Sequence, residues 1–104
     1  MLFILLAKLT DDGLHEYQKN PDTFADAYNS VDVPGTQLLA RYATLGQYDF
    51  VVMVEADGAQ QVSQLSVALG ARAHVHIESM QATGTQLTTE RPGVVVAGEE
   101  TGVR

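Results

Sequence analysis

The sequence predicts an α+β domain with the order β-α-β-β-α-β and a four-stranded antiparallel sheet. Three observations carry this. Apolar runs of strand length are separated by turn residues; two stretches place apolar residues at helical spacing; and the two patterns alternate in that order along the chain. The 104 residues, 45% of them hydrophobic, suffice for one small core. This order of elements is the ferredoxin-like arrangement.

The first run, Leu2 to Leu9, is apolar on both faces except at Lys8, as in a central strand covered on both sides. "TDDG" breaks it, and Leu14 and Tyr17 are placed to anchor a short helical turn. In "NPDTFADAYNSV", Asn20 is the expected N-cap and Pro21 the first helical residue, with Phe24, Ala27, Tyr28 and Val31 as one apolar stripe. Pro34–Gly35 turns the chain into "TQLLARYATL". "YDFVVMVEA" follows, and Gly46–Gln47 between the two runs reads as a tight hairpin. In the second helix, "DGAQQVSQLSVALG", Asp57 and Gln60 suit a capping box. Val62, Leu65, Ser66 and Leu69 form its inner stripe, and Gly70 its stop. "AHVHIESMQA" is the fourth strand. Residues 1–85 therefore form the domain, and 86–104, rich in glycine and with one apolar tripeptide, an arm or tail.

Two helices cover one face of a four-stranded sheet. In the first strand Leu2, Ile4 and Leu6 line one side and Phe3, Leu5 and Ala7 the other, so the uncovered side is also apolar. A second copy of the same sheet is the expected cover, making the chain its own partner in a homodimer or higher homo-oligomer.

The charge narrows the function. Thirteen acids against six scattered bases give a net charge of −7, which repels phosphate backbones and anionic lipid, so neither nucleic acid nor a membrane surface is expected as a partner. With no cysteine there is no disulfide, thiolate metal site or cysteine nucleophile. The opening "MLFILLAKLT" has too short an apolar run, and no preceding base, for a signal peptide, so a soluble cytoplasmic protein is expected. No phosphate-binding loop, dinucleotide fingerprint or nucleophile elbow occurs, and no cofactor is implied.

At "YATLGQYDFVVMVEA" the chain resembles the GYD family, whose motif falls here on Gly46, Tyr48 and Asp49. The helix ending "ALG" and the later Glu78 also look like that family, over roughly the first four fifths of the chain. The resemblance implies a dimeric α+β barrel, two ferredoxin-like protomers with their sheets facing. Similar barrels include cofactor-free monooxygenases, heme-degrading or peroxidatic proteins, isomerases and ligand-binding stress proteins, and the fold does not choose among them.

The candidate site lies on the uncovered face. If "AHVHIES" is a strand, His74, His76 and Glu78 share one side, and Val75 and Ile77 meet the helices. His74 and His76 could share a metal, the pair could work as acids and bases, or the face could be a hydrated rim. Glu55 shares a side with Asp49, Val51 and Met53, and is a candidate base if buried. Tyr48 and Asp49 offer a phenol and a carboxylate for proton transfer, but the structural reading is the stronger: Asp49 accepting turn amides and Tyr48 packing with its hydroxyl on a partner. The candidate catalytic residues are thus His76, Glu78, Tyr48 and Glu55. Tyr42, Met53 and His76 are the expected contacts for a small molecule held between the sheets. Arg41 is either a counter-charge for an anionic ligand or an ordinary edge-strand charge.

Overall fold

A computed structural model describes residues 1–84. The order is β1 (Leu2–Leu9), α1 (Asp11–Lys19), α2 (Thr23–Ser30), β2 (Thr36–Ala43), β3 (Phe50–Ala56), α3 (Ala59–Ala73) and β4 (Val75–Ala82). The sheet is four-stranded and antiparallel in the order β2-β3-β1-β4. The two strands that read as apolar on both faces, β1 and β3, are its centre. Phe3, Leu5, Ala7, Val52, Val54 and Val75 point from the sheet into the core, where Phe24, Ala27, Val62, Leu65, Leu69 and Ala73 of α2 and α3 meet them. The expected 86–104 arm lies outside the described residues.

The departures from expectation lie at helix ends and in one strand. The residues after β1 form a full helix, α1. Thr10 caps it, its Oγ1 accepting the Gly13 amide at 2.9 Å. α1 does not dock through Leu14, which is 54% exposed. It docks through buried Gly13, where a Cβ would stand 2.4 Å from the His74 carbonyl oxygen, so only a residue without a side chain lets the backbones approach. Tyr17 completes the contact, its hydroxyl donating to the Ala73 carbonyl at 2.9 Å.

Asn20 ends α1 and does not start α2, which begins after Asp22. Its Oδ1 accepts the Asp22 amide at 3.0 Å, so Pro21 and Asp22 form the turn between the helices. The cap of α3 is Gly58, with no side-chain bond from Asp57. Gly70 does not stop α3: the helix runs three residues further and ends at His74, whose φ of 57° and ψ of 49° are left-handed. His74 is therefore a helix cap outside β4, and its pairing with His76 on one strand face is corrected.

In β2 the pairing with β3 shifts between Leu38, opposite Val54, and Ala40, opposite Met53. Leu39 is the extra residue of a bulge, which inverts the alternation beyond it. Leu38 packs on the core, yet Arg41, opposite Val52, also lies on the helix side, while Tyr42, opposite Val51, lies on the free side. The turn to β3 is not a two-residue hairpin but the six residues 44–49.

Candidate functional site

The register fixes the helix-free face row by row. One row reads Glu78, Leu6, Val51, Tyr42; the next Met80, Ile4, Met53, Ala40; the third Ala82, Leu2, Glu55, Gln37. Beyond the first row Lys8 stands opposite His76. The middle of the face is thus apolar and its ends are polar. Leu2, Ile4, Leu6, Val51 and Met53 are only half-buried, and Met80 and Tyr42 are exposed. Their counterparts on the other side of the same strands, Leu5, Ala7, Val52 and Val54, are fully buried.

The polar end beside Lys8 is held by the 44–49 loop. Gly46 adopts a φ of 110° in open space, so the left-handed backbone, not crowding, calls for glycine there. Tyr48 donates its hydroxyl to Glu78 Oε1 at 2.6 Å, reaching from the loop to β4. That bond favours the protonated phenol and raises its pKa above the ordinary tyrosine value, with desolvation and the Glu78 charge adding to it. The Asp49 carboxylate accepts the amide of Leu9 at 2.8 Å, and the Asp49 amide donates to Ala7 at 2.8 Å. Asp49 was expected to hold amides of its own turn; it holds the end of β1 instead. Thr44 Oγ1 donates to the Tyr48 carbonyl at 2.7 Å and closes the loop. Gly46, Tyr48 and Asp49 together form a latch across three strands.

Of the other proposed residues, His76 is exposed on the free face two residues from Glu78, and among the described residues none of the side-chain hydrogen bonds includes it. Val75 is buried and Ile77 packs on the core, as the parity of β4 requires. Glu55 is exposed at the opposite end of the face, paired with the Met1 amino group. His76 and Glu55 stand three rows apart, six residues along the strands, roughly 20 Å by strand rise. Tyr42 and Glu78 occupy opposite edges of one row, roughly 14 Å apart by strand spacing. Tyr42, Met53 and His76 thus sample three separate parts of the face. Among the described residues no three of His, Asp and Glu come together as metal ligands.

Two further features were not singled out from the sequence. Burial, reinforced by the Asp49 charge, pushes the Tyr17 pKa up to about 12. The second feature is a slot on the helix side at the end of β2, where Arg41 stacks over Tyr28 at 4.7 Å and Phe24 stacks on Phe50 at 4.1 Å. The β2 bulge brings Arg41 there, and "TQLLARYA" carries no local signal of a bulge.

Residues 3–90 match the GYD domain. The chain belongs to the GYD domain family. It is 37% identical over 81 residues to the "Glutamine synthetase and cystathionine beta-lyase binding protein" of Thermus thermophilus, covering 77% of this chain and 85% of that protein. Among solved structures it is similar to the leucine response regulatory protein LrpA of Mycobacterium tuberculosis, with a TM-score of 0.59 and 16% identity over 81% of this chain and 51% of that one. A solved point-mutant chain gives a TM-score of 0.62 at 15% identity, over 81% and 50% respectively. The chain spans about half the length of these solved proteins, and the likeness establishes the ferredoxin-like fold. Among the described residues no helix is long and apolar enough to cross a membrane.

Proposed function

We propose that this GYD domain protein is a protein-binding module without catalytic chemistry, assembled as a face-to-face homodimer through its helix-free sheet face. The observation that carries the proposal is the apolar centre of that face, Leu2, Ile4, Leu6, Val51, Met53 and Met80, which the helices among the described residues leave without cover. Its size suits the role. Strands of eight residues in a four-stranded sheet span roughly 26 Å by 19 Å, a flat footprint of roughly 500 Å². Two such faces together reach the ~1,000 Å² that specific interfaces need before side-chain relief is counted. The Thermus relative is named for binding two metabolic enzymes, which supports a partner of the same kind for the dimer.

The test combines sedimentation of the purified chain at micromolar concentration with mixing against glutamine synthetase and cystathionine β-lyase. The expected result is a dimer that co-sediments with one of the enzymes, and a monomer for Ile4→Asp. A wild-type monomer that ignores both enzymes overturns the proposal.

A second reading is favoured by the Tyr48–Glu78 bond at one end of the apolar face. A small molecule held between the sheets, against Tyr42, Met53 or His76, would meet a protonated phenol as a donor. Tyr48, Glu78 and His76 would be the proton-transfer groups of a cofactor-independent enzyme, with Glu55 remote from them. Saturable binding of a ligand that Tyr48→Phe weakens would favour this reading over the first.

A further inference from the structure

We propose that the slot between α2 and the end of β2 binds a small aromatic monocarboxylate, its ring against Phe24 and Phe50 and its carboxylate on Arg41. The slot lies at the edge of β2 on the helix side, with Tyr42, which also belongs to the free face, in its lining. It is a half-open cleft of ≈190 Å³ between Pro21, Phe24 and Ala25 at the start of α2 and Arg41, Tyr42 and Phe50 of the sheet. Drug-sized sites are larger, roughly 300–1,000 Å³, so this one suits a single ring with a short arm.

The walls are set for a flat apolar group. Phe24 and Phe50 stack on each other at 4.1 Å and 9°, and Tyr17 packs on Phe50 with ring centroids 5.8 Å apart, so the aromatic pair is held rigid and offers the slot its edges. Phe24 is itself buried.

The charge is set for a carboxylate. Arg41 reaches this side only because the bulge at Leu39 inverts the strand; bulges commonly re-aim a side chain in this way. Its guanidinium is held by stacking on the Tyr28 ring at 4.7 Å. Stacking occupies the guanidinium face and leaves its N–H edge available for a planar, two-toothed acceptor. In a chain with thirteen acids, Arg41 forms no ion pair among the described residues. Asp22 precedes α2 as its N-cap and Asp26 stands in its first turn, where the Asn20 amide group donates to it at 3.3 Å.

The experiment is an amide NMR titration of the full chain with phenylacetate, phenylacetamide and phenethylamine at millimolar concentration. Phenylacetate is expected to shift the amides of Phe24, Ala25, Tyr42 and Phe50 saturably. The neutral and cationic analogues should bind at least about tenfold more weakly, since they lack the charge-assisted pair. Arg41→Gln should weaken phenylacetate by a similar factor and leave phenylacetamide unchanged, and Arg41→Lys should retain part of the affinity. Arg41 is exposed, so both variants should keep the native spectrum. Equal binding of acid and amide, indifference to Arg41→Gln, no saturable shift, or shifts confined to the free sheet face would each overturn the proposal. The oligomeric state, read separately by sedimentation, decides the sheet-face reading.

Discussion

The two sides of β1 read alike as sequence and differ as structure. Phe3, Leu5 and Ala7 are buried under the helices, whereas Leu2, Ile4 and Leu6 stay half-open although they are no less apolar. Apolar residues are placed where water is to be excluded, but which surface excludes it depends on what lies above. Among the described residues, the helices cover one side and leave the other as surface. The first side is about folding; the second is where function is to be sought.

Substituting the two sides in parallel should separate them most strongly. Leu5→Ala opens a cavity in the closed core and should cost about 2–5 kcal/mol. Ile4→Ala, one residue away, should cost the isolated chain less, about 1–2 kcal/mol, because that side chain is only partly buried in one copy and its loss opens no closed cavity. Denaturant melts at low protein concentration would read both, and equal losses would break the distinction.

Next in size is the helix cover itself. Alanine for glycine in a helix ordinarily stabilises by roughly 0.5–1 kcal/mol. Gly13→Ala should instead destabilise by about 1–3 kcal/mol, since the new methyl meets the His74 carbonyl and α1 must move. The sign of the change in melting temperature is the measurement.

The latch sharpens the comparison at the polar end of the free face. Asp49→Ala leaves the Leu9 amide without its carboxylate and should cost about 1–2 kcal/mol. Tyr48→Phe should change stability less, because its hydroxyl bond to Glu78 is exposed.

A further expected effect is a pH dependence on the covered side. The Tyr17 phenol titrates near 12 in the folded chain against 10.0 in the open chain. As pH rises the unfolded chain loses that proton first. The stabilisation from Tyr17 is therefore complete below pH 10 and is lost between pH 10 and about 12. Tyr17→Phe should flatten that part of the stability curve, measured by denaturation across the range. An unchanged slope would place the burial elsewhere.

How far the sequence could be read follows from the same physics. The strands were legible because alternation and two-sided apolar runs report burial directly: Val52 and Val54 inward, Val75 and Ile77 inward, β1 and β3 central. Helix ends were not, because Asn20, Asp57 and Gly70 satisfy cap rules that tertiary contacts overrode. The position of Arg41 and Tyr42 was illegible, since one extra residue at Leu39 reverses the parity and leaves no trace in composition. At the candidate site, the placement of His76 and Glu78 on the free face followed from parity, and the Tyr48–Glu78 bond did not, because the two residues are thirty apart in the chain.

The central claim is that the free face is a protein interface, and its direct measurement is a methyl NMR experiment on a sample mixed from two differently labelled preparations of the chain. Cross-chain contacts are expected from the methyl groups of Ile4, Val51, Met53 and Met80, all lost in Ile4→Asp. A sample with no cross-chain contacts at these methyls, sedimenting as a monomer at the same concentration, would contradict it.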